Sequence, residues 1–151
     1  MQVLTKAYGK IEVDERQKIY FPGGLLGFEN LKDYLLLDAA QQPFYWLQSL
    51  DVPEIAFVMI NPGIFRQNYL PEVSKSELDE IGLASTDSEN SLVFSIVTIP
   101  EEHSRMTANL QGPIIINREM KSGRQCISTN DDYKTQHYVL EELAAEKDSV
   151  C

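Results

Sequence analysis

The chain has 151 residues, 13 Lys plus Arg against 23 Asp plus Glu, a net charge of −10 and 43% hydrophobic content. That length makes one domain, able to bury about two-thirds of its unfolded surface without disulfides or metal. The negative field repels polyanions, which argues against nucleic acid or anionic membrane as a direct partner and favours basic proteins.

The apolar pattern in chain order is short, alternating and punctuated by Gly, Pro, Asn and Asp, which reads as strand. Val3–Tyr8 and Lys10–Val13 flank Gly9 as a hairpin, and Lys18–Phe21 follows before Pro22-Gly23-Gly24 breaks the run. A helical start is expected over Phe28–Tyr34, where Phe28, Leu31 and Leu35 share one side. Strands are then expected at Tyr34–Leu37, Phe44–Leu50 and Ile55–Ile60. Ser74-x-x-Glu77 is a capping box opening a two-turn helix, with Leu78 and Ile81 on its inner side and Gly82 at its end. The remaining strands are Leu92–Ile99, Met106–Leu110, Ile114–Asn117, Gln125–Ser128 and Gln136–Leu140, with a frayed helix over Leu140–Lys147. The fold class is therefore mainly all-β, a sandwich or barrel of one domain with one or two short helices.

No catalytic constellation emerges. Ser49 lacks the flanking glycines of a nucleophile elbow, and neither His103 nor His137 lies near it in sequence. Gly23, Gly24 and Gly27 match neither a dinucleotide fingerprint nor a phosphate loop, and read as a tight corner. Cys126, in an alternating apolar stretch, reads as a buried structural thiol, and Cys151 as a free terminal thiol of no evident role. Two cysteines, one at the last position, provide no disulfide framework, and two histidines no three-ligand zinc site. His103 and His137 read as loop and strand surface residues, and the pairs Glu101-Glu102, Asp131-Asp132 and Glu141-Glu142 as solvated faces. Phe44-Tyr45-Trp46 reads mainly as core. No cofactor is expected. Met1–Lys6 lacks a signal-peptide core, and the longest apolar run, Ile55–Ile60, falls far short of the ~20 residues of a membrane helix, so a cytoplasmic location is expected.

The charge is unevenly placed. Residues 1–36 and 101–140 are each neutral, with five basic and five acidic side chains. Residues 71–100 carry one basic and six acidic groups, net −5, and residues 141–151 net −3.

Several segments in order resemble the bacterial flagellar assembly factor FliW family. Tyr20-Phe21-Pro22-Gly23-Gly24-Leu25-Leu26-Gly27-Phe28-Glu29 is similar to its F-x-x-G-L-x-G-F segment. Pro43-Phe44-Tyr45-Trp46-Leu47-Gln48-Ser49-Leu50, with Ile55–Val58 and Asn61-Pro62, resembles its second block. Ser95–Pro100 and Thr107–Asn117 resemble its V-T-I and T-x-N-L-x-x-P-I-x-x-N blocks, so the likeness runs from about residue 8 to 140. It implies a compact antiparallel β-barrel-like domain over residues 1–140, with 141–151 an acidic C-terminal tail beyond it. It also implies a non-enzymatic cytoplasmic regulator and chaperone of flagellar assembly with two partners: flagellin, and the RNA-binding translational regulator CsrA. The resemblance further implies that sequestered CsrA no longer represses the flagellin message and that accumulating flagellin releases it.

The acidic excess then suggests a regulator-facing surface at Glu72, Glu77, Asp79 and Glu80, with an apolar groove elsewhere for a flagellin helix. The rival class is a small-molecule-binding β-barrel or an unrecognised hydrolase using the acidic pairs. It predicts a deep pocket of convergent polar groups with perturbed pKa values, whereas an adaptor predicts an exposed apolar patch with an acidic rim.

Overall fold

The computed structural model describes residues 1–149. Its strands are β1 (Gln2–Thr5), β2 (Gly9–Glu12), β3 (Lys18–Tyr20), β4 (Asp33–Asp38), β5 (Phe44–Ser49), β6 (Ala56–Ile60), β7 (Ser91–Thr98), β8 (Thr107–Ala108), β9 (Ile114–Asn117), β10 (Ser122–Gln125) and β11 (His137–Tyr138). Two helices accompany them, α1 (Lys75–Glu80) and α2 (Val139–Ser149).

Period-2 alternation gives this sheet an inward and an outward face. Seven strands pair in the order β7-β6-β5-β4-β3-β10-β9, and β9 returns to β7 through Ser91↔Asn117 and Phe94↔Ile114, making a barrel. Every pairing is antiparallel except the seam between β3 and β10, a parallel contact of Tyr20 with Ser122. β7 is long enough to serve two partners along one edge: its first half pairs with β9, and Val97–Thr98 pair with β8, which carries β11.

Alternate residues of each strand fill the barrel, including Tyr34, Leu47, Met59, Phe94, Ile114 and Ile116, with Phe21 and Leu25 entering from the loop after β3. The interior is a packed side-chain core. Both faces of β7 are used: Phe94 points inward, while Val93 and Val97 belong to clusters on the outer side. Three outer layers complete the fold. The β1–β2 ribbon lies over Leu35 and Leu37, α1 covers Ile115 and Cys126, and the start of α2 packs with Ile60, Val97, Leu110 and Tyr133. α1 is only six residues long, below the length at which isolated helices hold. Burial of Leu78 and Ile81, worth roughly 1.5–3 kcal/mol each, and the capping box keep it folded.

The chain departs from the sequence reading at four places. Phe28–Tyr34 forms no helix. Two successive turns, Phe28 N–H to Leu25 O at 2.8 Å and Leu31 N–H to Phe28 O at 3.1 Å, reproduce the i, i+3 spacing, and Tyr34 already lies in β4. The strand expected at Gln125–Ser128 lies earlier, at Ser122–Gln125, because a tight turn with Lys121 at φ 56° starts it sooner. Gly123 gives that strand its position: a Cβ there would sit 2.6 Å from the Phe21 ring. Pairing in the Met106–Leu110 stretch is confined to Thr107–Ala108, since Asn109 turns the corner by accepting the Gln111 and Gly112 amides. Finally, the strand expected at Gln136–Leu140 is confined to His137–Tyr138, because the helix expected over Leu140–Lys147 already begins at Val139, which is buried together with half-buried Leu143. Cys151 lies outside the described residues.

Candidate partner-binding surfaces

The acidic region is built on α1. The Ser74 hydroxyl accepts the Glu77 amide at 3.2 Å, and the Glu77 carboxylate accepts the Ser74 amide at 3.3 Å. The same carboxylate takes the Ile127 amide at 3.0 Å and lies 3.6 Å from Arg124 Nε, tying α1 to the segment after β10. Arg124 also pairs with Glu80. One guanidinium therefore compensates two carboxylates, and the Glu77 side chain is only 14% exposed. Glu72 and Asp79 differ: both are exposed, and neither carboxylate has an ion pair or hydrogen bond among the described residues. The structure thus brings Glu77 and Glu80 together on Arg124 and leaves Glu72 and Asp79 facing solvent.

Beside α1 runs a shallow groove of about 480 Å³ lined by Leu70, Pro71, Glu72, Val73, Leu78 and Ala84, among others. Leu70 is 60% exposed there, an apolar floor under an acidic edge. The thiol of Cys126, fully buried beneath the helix, is pushed up to about 12 by burial, with Glu77 adding to the effect. It is held neutral and inaccessible.

A second, more apolar groove of about 470 Å³ lies over β5 and β6. Tyr8 at the ribbon tip, Ala40 in the β4–β5 turn, Phe44, Trp46, Val58 and Met106 form most of its wall. The Tyr8 hydroxyl accepts the Ala40 amide at 2.7 Å and the Trp46 indole N–H at 3.2 Å, so the ribbon tip is fastened to the wall. Alternation explains how β5 supplies this surface: Tyr45 and Leu47 pack with the barrel core, and Phe44 and Trp46 are left on the other side. The aromatic run read mainly as core is thus split between core and groove.

A third cluster was not legible in sequence. The Lys134 amide donates to His137 Nε2 at 2.7 Å, which leaves Nδ1 as the ring donor to Glu142 at 2.7 Å. Glu142 also pairs with Arg66 at 2.5 Å, and that guanidinium lies over the Tyr133 ring at 5.5 Å. His137 and Glu142, read as surface groups, are instead 12% and 20% exposed and joined to each other. Their companion Arg66 is 76 positions from Glu142, beyond any local pattern.

The remaining candidates have local roles. Ser49 Oγ accepts the Asp51 and Val52 amides and shapes a turn. Gly24 has φ +64°, where a Cβ would stand 2.6 Å from the Phe28 carbonyl oxygen, so the glycine corner is required by backbone packing. Glu101, Glu102, His103, Asp131 and Asp132 are exposed. Among the described residues, no group of three or more His, Cys, Asp or Glu is placed to hold a metal ion, and no helix is long and apolar enough to cross a membrane.

Comparison with known proteins is consistent along the chain. The family model described as FliW protein matches residues 2–139. The chain is 43% identical over 148 residues to the flagellar assembly factor FliW of Leptospira biflexa, covering 95% of each. It is 46% identical over 145 residues to that of Caldanaerobacter subterraneus subsp. tengcongensis, again covering 95% of each. A crystal structure of the flagellar assembly factor FliW superposes with a TM-score of 0.84 at 32% identity, over 92% of this chain and 96% of that one.

Proposed function

The chain belongs to the FliW family of flagellar assembly factors, and from that premise we propose that it is a non-enzymatic cytoplasmic adaptor that binds flagellin and sequesters a CsrA-type translational regulator. The observation that carries this reading is the apolar groove around Trp46, an exposed surface fastened at its rim and separate from the acidic region. It suits an apolar helical segment of flagellin. The acidic region carries the regulator: Glu72, Glu77, Asp79 and Glu80 form the regulator-facing surface, with Glu72 and Asp79 supplying the uncompensated charge. An acidic protein docked on a cationic RNA-binding one speeds its association and opposes the entry of phosphate. The two grooves share no lining residue. Exchange between the partners is then reciprocal linkage of two binding equilibria, so flagellin frees the regulator as its level rises.

The test is binding of purified flagellin monomer and purified CsrA to the full chain and to the double variant Glu72→Lys, Asp79→Lys. The wild-type chain is expected to bind both. The variant is expected to lose at least tenfold in CsrA affinity at low salt, to show a flatter salt dependence, and to keep flagellin affinity. Unchanged CsrA affinity and salt slope would remove the acidic face from the reading, and failure to bind either protein would remove the reading itself.

A further inference from the structure

Phe44, Val58 and Met106 belong to two surfaces at once. They line the groove around Trp46, and they also pack into the apolar cluster that holds Val139 and Leu143 at the start of α2. The backbone repeats the connection: the Val139 amide donates to the Met106 carbonyl at 3.2 Å, one residue before the Thr107↔Tyr138 pairing of β8 with β11. The groove wall and the bed of α2 are thus partly the same residues.

Within α2, Glu142 is held from two directions, by His137 and by Arg66. Two residues further on, Ala144 and Ala145 are exposed. The first turn and a half of the helix is thus fastened by Val139, Leu143 and one carboxylate. A carboxylate sharing two charge-assisted hydrogen bonds in a half-buried site makes a discrete contact, either formed or broken.

We infer that α2 is a strap latched by Glu142, and that its docking is thermodynamically linked to the shape of the Trp46 groove through Phe44, Val58 and Met106. An occupant of the groove that favours the docked arrangement stabilises α2, and release of α2 reshapes the groove, by the same factor in both directions. This linkage is a property of the chain alone and holds whichever partner the groove receives.

Trp46 is the one tryptophan of the sequence, so its emission reports on the groove. The experiment compares the full wild-type chain with Glu142→Gln, with Glu141→Gln as a control for charge on the exposed side of the same turn, and with Met106→Ala on the groove side. Two quantities are read: hydrogen–deuterium exchange of peptides over residues 139–145, with β9 peptides as internal standard, and acrylamide quenching of Trp46. Glu142→Gln is expected to speed α2 exchange about tenfold, with β9 unchanged, and to raise the quenching constant. Met106→Ala is expected to speed α2 exchange as well, and Glu141→Gln to change neither reading. Unchanged α2 exchange in Glu142→Gln would overturn the latch. Faster α2 exchange with unchanged Trp46 quenching would overturn the linkage, and equal acceleration at β9 would show that α2 does not open as a unit. If the variants behave as expected but purified flagellin monomer alters neither reading, the linkage stands and the flagellin assignment of the groove falls.

Discussion

The Tyr8 hydroxyl accepts the Trp46 indole N–H at 3.2 Å, joining the tip of a two-stranded ribbon to the barrel strand that forms the groove floor. Because the same oxygen accepts the Ala40 amide, Tyr8→Phe leaves two donors to water at a half-exposed site. The expected cost is about 1 kcal/mol, read as a lower urea midpoint by Trp46 emission. Flagellin affinity should fall about fivefold as the ribbon tip loosens. A variant with wild-type affinity would show that the rim is not part of the binding surface.

Glu77 and Asp79 are two positions apart on α1 and should behave oppositely. Glu77→Ala removes the capping-box carboxylate, the acceptor of the Ile127 amide and a partner of Arg124 together, and is expected to destabilise the domain by about 2 kcal/mol. Asp79→Ala removes an exposed carboxylate with no hydrogen bond or ion pair among the described residues and should stay within about 0.5 kcal/mol of wild type. Paired urea titrations decide this. Equal effects at both positions would mean that the capping, Ile127 and Arg124 contacts of Glu77 together contribute no net stability.

What the sequence revealed, and what it did not, divides by the range of the interaction. The capping box and the closing glycine of α1 are local, so Ser74, Glu77 and Gly82 were readable directly, as was the alternation that places Phe94 and Val97 on opposite faces of β7. The register of β10 was not. It depends on the room that Gly123 leaves for the Phe21 ring, and in sequence that glycine looks like a break. The turns at Phe28 and Leu31 imitate a helical period because each turn spans three residues. The grooves and the Glu142 latch join residues 38 and 76 positions apart, Tyr8 with Trp46 and Arg66 with Glu142, and no local pattern announces such pairs. The charge imbalance located the acidic region, but the compensation of Glu77 and Glu80 by Arg124 appears only on folding.

Gly24 and Gly27 belong to one loop, both with positive φ, yet they should differ in tolerance. At Gly24 a methyl group would meet the backbone of Phe28 and Glu29 at 2.6–2.7 Å, and backbone atoms cannot rotate away. At Gly27 nothing lies within 4 Å, leaving only the left-handed conformation to be strained. Gly27→Ala is expected to cost about 1 kcal/mol and Gly24→Ala about 3 kcal/mol or more. Urea midpoints of the two single variants measure the difference. A Gly24→Ala chain as stable as Gly27→Ala would show that the corner can shift.

Alkaline pH should weaken the fold through two buried groups that ordinarily release their protons above about pH 9. Burial pushes the Cys126 thiol from an ordinary value of 9.0 up to about 12, with Glu77 adding to it and Arg124 opposing. Burial, then Asp51, pushes the Tyr34 phenol from 10.0 up to about 12. Each group keeps its proton in the folded chain over a range where the unfolded chain has released it, so the folded state binds more protons there. The stabilisation is complete below about pH 9 and declines as pH rises from 9 towards 12. Urea midpoints should be flat from about pH 7 to 8.5 and fall steadily above that. Tyr34→Phe separates the two contributions: the Tyr34 hydroxyl is buried with no hydrogen-bond partner among the described residues, so the variant should match or exceed wild-type stability at neutral pH and lose part of the alkaline decline. Adding Cys126→Ala should flatten the decline further, and an unchanged alkaline slope in the double variant would place its origin elsewhere.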